Sequence, residues 1–330
     1  MCSFGGRLWR VLATLLLAAL SEASHATAAD AFPERSIRIV VGQGAGATSD
    51  ILARLVAAKL QEMWSVPVVV ESHSGAAGTI AAAMVAKSPS DGYTLLLGSS
   101  TNLAMAVVTG ESISYDPLKD FEPIGRIAKI PWALAARAKL PVSSVAELVT
   151  YSKANPGLLK GSSTGPGSMA AFGIDMLNWK IGTDILDVPY RANASQIQAV
   201  IAEEVDLVFT DLSILGPHVK AGTVKLLAAA GSRRSRAYPD LPTLLEQGVG
   251  DAVLEPWYGL AAPGGTPAPI LEKLHAVLRK ALRTPALRDR LLDSGYEPID
   301  ETRAEFAVVI GADIARFSAV ARPGQPKSPR

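Results

Sequence analysis

The sequence predicts an α/β protein of two lobes, each a mainly parallel sheet flanked by helices. Three observations carry that prediction. Strand-like apolar runs alternate with helical patterns, once in the amino-terminal half and again in the second half. The chain has 330 residues, a length that suits two domains. The carboxyl ends of several predicted strands carry Gly, Ser and Thr, where open α/β sheets bind their ligands.

The elements follow in order. Residues 37–41 (Ile-Arg-Ile-Val-Val) form a β-rich run ending in glycine, which predicts the first strand. Residues 50–63 place Ile51, Leu52, Leu55, Val56 and Leu60 on one helical face. Residues 66–70 predict a second strand, 78–87 a short Ala-rich helix and 93–98 a third strand. The second half repeats this style. Residues 144–153 predict a helix that Pro156 and Gly157 stop. Strands are expected at 159–163, 185–188, 205–209 and 224–229, with helices at 169–179 and 194–202 between them. Three helices close the chain, at 269–283, 285–294 and 302–321. Residues 322–330 carry three prolines and are expected to be disordered.

Composition removes several function classes. The chain carries 32 Lys+Arg against 31 Asp+Glu, a net charge of +1, so no basic excess points to nucleic acid. One Cys excludes a disulfide framework and any Cys-based zinc site. The three histidines past residue 28, His73, His218 and His275, have no second ligand at metal spacing, so no metal is expected.

The first 28 residues predict a secretory signal peptide. Arg7 and Arg10 precede a ten-residue apolar run, 11–20, and Ala26-Thr27-Ala28 follows as a cleavage signature. The run is shorter than the ~20 apolar residues a spanning helix needs. Cleavage leaves 30 of the 32 basic and 30 of the 31 acidic residues and removes the lone Cys2. Export to the periplasm is the expectation, with a Cys-free mature chain suited to an oxidising compartment. Soluble NAD and ATP are not expected there, and no cofactor is.

Three loops between a strand and a helix are rich in small residues: 42–49, 72–79 and 162–168. A helix start leaves backbone N–H groups unpaired and carries about half a positive charge. Small side chains let a ligand approach that backbone, so such loops hold carboxylates or phosphates without Arg or Lys. Gly and Ser also serve simply to turn chains and cap helices. Three such loops together favour an anion site.

Two motifs offer other readings. Residues 42–47 fit G-x-G-x-x-A, and Glu71 ends the next strand near the spacing of a ribose-binding acid, but export opposes a dinucleotide enzyme. Gly161-Ser162-Ser163-Thr164-Gly165 fits the G-x-S-x-G elbow of hydrolases, with Asp206 or Asp211 and then His218 or His275 following in order. The pattern also arises by chance in Gly/Ser-rich loops, and Leu159-Lys160 is a poor ending for a buried strand. No paired carboxylates suggest acid–base chemistry. The sequence argues for a binding protein and not for an enzyme.

The ordered segments resemble the substrate-binding proteins of tripartite tricarboxylate transporters, the Bug receptor family. Phe32-Pro33-Glu34-Arg35-Ser36-Ile37 opens the resemblance, and Pro67-Val68-Val69-Val70-Glu71 and Ser90-Asp91-Gly92-Tyr93-Thr94 continue it. Tyr115-Asp116-Pro117, Val188-Pro189-Tyr190-Arg191, Pro217-His218-Val219-Lys220-Ala221-Gly222 and Trp257-Tyr258-Gly259-Leu260 extend it along the whole mature chain. The resemblance implies a type II periplasmic-binding-protein fold that closes like a flytrap on a small carboxylate. It implies delivery to a membrane permease with large and small subunits. On this reading residues 29–130 and 256–321 form the first lobe and 131–255 the second. The crossings fall near Pro131 and Trp132, and near Pro256 and Trp257, and the last helices return to the first lobe.

The resemblance also locates the ligand. The backbone of Gly44, Ala45, Gly46, Ala47 and Thr48, with Gln43 beside it, would take one carboxylate. Thr164, Gly165, Pro166, Gly167 and Ser168 would hold it from the other lobe. Ser99, Ser100 and Thr101 end the third strand with hydroxyls. Asp211 would accept from a ligand amine or hydroxyl, or serve as a cap. Tyr190 would line the cleft or pack in the core. The chain departs from the family at this site. Gly42 and Gln43 replace a Pro and an aromatic, Ala47 a Gly, Ser72-His73-Ser74 an Asn-Arg-Pro, Ala171 a His and Asp175 a Glu. Gln43 points to a more polar or smaller ligand. A receptor that feeds a sensor kinase would need the same closure and stays open as an alternative. A monomer is the expected state.

Overall fold

The computed structural model describes residues 31–109, 113–190 and 193–320. The expected signal peptide, the 322–330 tail and Arg191 lie outside the described residues. The described residues open with β1 (Ile37–Val41), α1 (Thr48–Trp64), β2 (Val68–Ser72), α2 (Thr79–Ala86), β3 (Thr94–Ser99), the short α3 (Ser100–Leu103) and β4 (Phe121–Lys129). It then crosses to β5 (Trp132–Arg137), α4 (Val145–Ala154), β6 (Lys160–Ser163), α5 (Met169–Ile181), β7 (Leu186–Pro189), α6 (Asn193–Ile201), β8 (Leu207–Asp211), α7 (Leu212–Lys220) and β9 (Val224–Ala229). It returns through β10 (Trp257–Pro263), α8 (Ala268–Leu282), α9 (Pro285–Asp293), β11 (Glu297–Pro298) and α10 (Arg303–Val320).

Two sheets result, in the orders β11-β4-β10-β3-β1-β2 and β7-β6-β8-β5-β9. The parallel pairs expected from strand–helix alternation are present: β1 with β2 and β3, and β6 with β7 and β8. Four strands have no counterpart in the sequence reading: β4, β5, β10 and β11. Every antiparallel pairing involves one of them, so both sheets are mixed. Their sequences hide them. β4 contains Pro123 and Gly125, and β5 reads Trp-Ala-Leu-Ala-Ala-Arg, whose alanines favour helix.

The central strands are buried on both faces, which is why they read as continuous apolar runs. In β1, Ile37, Ile39 and Val41 pack with Leu52, Val56 and Leu60 of α1 and with Leu271, Leu274 and Leu278 of α8. Val40 faces the other side, with Leu96, Val85, Trp257 and Phe306. The second sheet repeats the sandwich, with Leu207 and Phe209 against Phe172 and Leu177 on one face, and Val208 against Val200 and Leu215 on the other.

The crossings lie side by side. Ile130 N–H donates to the Pro256 carbonyl at 2.7 Å, and Ala230 N–H donates to the Trp132 carbonyl at 2.8 Å. Trp132 packs against both lobe cores. Helix α10 also touches both. Its Phe306 and Ile310 sit under the first sheet, while Phe317 meets Phe172 edge-on at 5.1 Å within the second core. Trp257 anchors the helix, its indole N–H donating to Asp313 Oδ2 at 2.7 Å.

Candidate functional site

The loops after β1, β2, β3 and β6 converge, with the two crossings, on a cavity of ≈310 Å³ between the sheets. Its lining includes Gln43 and Thr48 from the first loop, Ala77 and Gly78 from the second, and Thr164, Pro166 and Ser168 from the third. Ser99, Thr101 and Asn102 come from the end of β3, Asp211 from the end of β8, and Ile130, Trp132, Pro256 and Tyr258 from the crossings. Among the described residues, no Lys, Arg or His lines it.

Eight of the sixteen residues expected at a ligand site are therefore brought together: Gln43, Thr48, Ser99, Thr101, Thr164, Pro166, Ser168 and Asp211. The other eight stand aside. Gly44, Ala45 and Gly46 are exposed and Ala47 is half-buried, none of the four lines the cavity, and their loop is closed on itself. Gly46 N–H donates to Asp50 Oδ2 at 2.9 Å, and Ala47 N–H donates to the Gly44 carbonyl at 3.2 Å. Asp50 is in turn held by Arg54, and that pairing holds its carboxyl below the usual range. Gly165 and Gly167 do not line the cavity; their φ values of +101° and +79° are left-handed and let the 163–168 loop turn. The Ser100 hydroxyl is buried with no partner among the described residues. Tyr190 points away, its hydroxyl donating to Glu204 at 3.4 Å.

The hydrogen bonds within each loop decide which donors remain for a ligand. Gln43 Oε1 accepts from Ser49 N–H at 3.3 Å, and its amide NH₂ donates to the Tyr258 side chain, which leaves one N–H for a ligand. Ser168 caps α5, its oxygen accepting from Ala171 N–H at 3.2 Å, and keeps its own proton to donate. Ser99 is committed to a capping box with Asn102. Asn102 Nδ2 also donates to the Gly78 carbonyl at 3.4 Å, tying the second loop to the third strand. Gly42 must be glycine, because a Cβ there would lie 2.5 Å from the Gly78 Cα. That contact joins the first two loops.

Among the described residues, Asp211 is the one ionisable carboxylate in the cavity, and it is 6% exposed. Burial pushes its pKa up to about 6, against the opposing hydrogen bond from the Trp132 side chain. Tyr258 stands beside it and is pushed up by burial and by the Asp211 charge, while its contact with Gln43 acts the other way. Sequence reasoning missed Trp132, Pro256 and Tyr258 as lining residues. They lie on strands β5 and β10 or at their crossings, which have no strand-like pattern.

The competing motifs find no chemistry. Ser163 is fully buried, donates to Asp187 Oδ2 at 2.9 Å and accepts from Gly165 N–H. His275 sits in the other lobe, its Nδ1 2.7 Å from the Ile124 carbonyl. Glu71 pairs with Arg38 at 3.5 Å.

Comparison with known proteins is consistent along most of the chain. The family described as "Tripartite tricarboxylate transporter family receptor" matches residues 52–323. A UPF0065 protein of Bordetella pertussis is 34% identical over 291 residues, covering 88% of this chain and 89% of its own. An R. palustris protein solved with adipate superposes with a TM-score of 0.78 at 32% identity, covering 88% of this chain and 97% of that one. MatC from Rhodopseudomonas palustris, solved with bound malate, gives 0.76 at 31% identity, with 88% and 100% covered.

Proposed function

The chain belongs to the tripartite tricarboxylate transporter receptor family, and from that premise we propose that it is a periplasmic receptor for a small organic carboxylate. The lobes close on the ligand and present it to a membrane permease with large and small subunits. The observation that carries this reading is the interlobe cavity, walled by neutral donors from both sheets and, among the described residues, by no Lys or Arg. Oriented hydroxyls and amides hold an anion in a poorly hydrated site, where each hydrogen bond counts for more than in water. Ligand contacts to both lobes favour the closed state, and their loss on opening releases the ligand.

Asp211 narrows the ligand class. Adipate and malate in the two R. palustris relatives are small aliphatic dicarboxylates, and a cavity of ≈310 Å³ suits that size. One carboxylate meets the donors of Gln43, Thr48, Thr164 and Ser168. The group reaching Asp211 has to donate: a hydroxyl, an amine, or a carboxyl that shares a proton with it. Two ionised carboxylates facing each other in a buried site repel strongly.

The test is thermal unfolding after a cycle of unfolding and refolding that strips bound ligand. The panel holds mono-, di- and tricarboxylates, hydroxy and amino acids, NAD and a simple ester. A ligand at a hundred times its Kd stabilises by about 2.7 kcal/mol, which raises Tm by several degrees. A shift with a small hydroxy-, amino- or dicarboxylate is expected. A shift with NAD alone would overturn the reading.

A further inference from the structure

A second cavity, of ≈270 Å³, lies beside the first crossing and is lined by Lys129, Arg233, Arg234, Arg236, Arg288 and Glu297 among others. Two of its cations are paired. Lys129 Nζ reaches Glu255 at 2.9 Å and Glu297 at 3.5 Å, and Arg234 pairs with Glu246 at 2.9 Å. Among the described residues, no carboxylate pairs with Arg233, Arg236 or Arg288. A sphere of that volume is roughly 8 Å across, about one Debye length at physiological salt, so these charges repel one another through the cavity.

We propose that this cavity is a second anion site, built for phosphate groups, that joins the two lobes at the hinge. Arg233 and Arg236 come from the segment after β9, and Arg288 from α9. An anion held by all three therefore contacts both halves of the fold. It does so next to Lys129, the residue before the Ile130 contact with Pro256. The chemistry favours phosphate over the carboxylates of the cleft. A carboxylate offers two coplanar oxygens, which one guanidinium fork satisfies. A phosphate offers three acceptor oxygens and a charge near −2, enough for several forks at once. The phosphate is either free in solution or carried by a lipid headgroup.

The experiment has two arms at fixed ionic strength. In one, the protein is titrated with inorganic pyrophosphate by calorimetry. In the other, it is sedimented with phosphatidylglycerol vesicles and with phosphatidylcholine vesicles as control. Both arms are repeated with R233A/R236A/R288A and with R288A alone. Single-site pyrophosphate binding that weakens at least tenfold in the triple variant is expected, with Tm and carboxylate binding unchanged. Binding to phosphatidylglycerol vesicles alone, lost in the triple variant, supports the site and assigns its source to the headgroup. Absence of binding in both arms, or binding that the triple variant retains, overturns the proposal. Full retention in R288A overturns the bridging of the two lobes. Because the carboxylate cleft shares none of these arginines, failure here leaves the receptor reading intact.

Discussion

The cleft cavity and the arginine cavity both border the first crossing, at Ile130 and Lys129, and are similar in volume, yet they are built from opposite materials. The cleft presents hydroxyls, amides and one buried acid. The second cavity presents guanidiniums on exposed side chains. A full charge on a flexible side chain works well in water, where screening weakens it and its desolvation cost is small. Inside a closing cleft the same charge would have to be stripped of water, at several kcal/mol per ion. Dipoles fixed by loop geometry avoid that cost and let the ligand leave when the lobes part.

The largest effect expected from a single substitution is at Gly42. Gly42→Val drives a side chain into the Gly78 backbone and separates the two loops that form the cleft wall. Carboxylate affinity should fall at least 100-fold, with a loss of about 1–3 kcal/mol in stability from overpacking. Calorimetric titration and thermal unfolding check both, and pyrophosphate binding at the arginines should survive.

Asp211→Asn should change stability in a pH-dependent way. The Asp211 carboxyl titrates at about 6 in the folded protein and near 3.9 when unfolded. The folded state therefore binds this proton more tightly. The stability it contributes is full below pH ~4 and is lost as pH rises through about 6. A shift of about two pKa units at roughly 1.4 kcal/mol each means that Asp211→Asn should stabilise the protein by about 2–3 kcal/mol at pH 8 and scarcely at pH 4. Unfolding curves at the two pH values test this. The same proton should sharpen ligand choice. Dicarboxylate affinity in the wild-type protein should rise as pH falls from 7 to 5, while that of a hydroxy-monocarboxylate stays level.

Thr164→Val removes one cleft hydroxyl without a change of shape. About 1–2 kcal/mol of binding, some tenfold in Kd, should go with it, while Tm stays nearly constant. The smallest effect lies on the other side of the comparison. Neutralising Arg233, Arg236 and Arg288 should leave stability within about 0.5 kcal/mol, as exposed substitutions usually do. It should shift cleft affinity less than twofold.

The comparison also explains what the sequence could reveal. Parallel strands such as β1 and β3 are buried on both faces and announce themselves as unbroken apolar runs. The loops after them stand out through Gly, Ser and Thr. β4, β5 and β10 carry the crossings, and their Pro, Gly and Ala content masks their extended form. The cleft residues on them, Trp132 and Tyr258, stayed hidden for the same reason. The first loop misleads in another way. Its glycines look like a cradle, but Asp50 takes the Gly46 amide, a contact four residues apart that the presence of an Asp at a helix start does not reveal. Arg233, Arg234 and Arg236 are plain in the sequence, but their meeting with Arg288 depends on tertiary folding across some fifty residues.

A crystal structure of the protein with the carboxylate that gives the largest thermal shift tests the central claim most directly. The account predicts one ligand between the sheets, its carboxylate within hydrogen-bond distance of Thr164 or Ser168 on one side and Gln43 or Thr48 on the other, with a donor group facing Asp211. A ligand seated among Arg233, Arg236 and Arg288 with the cleft empty would contradict it.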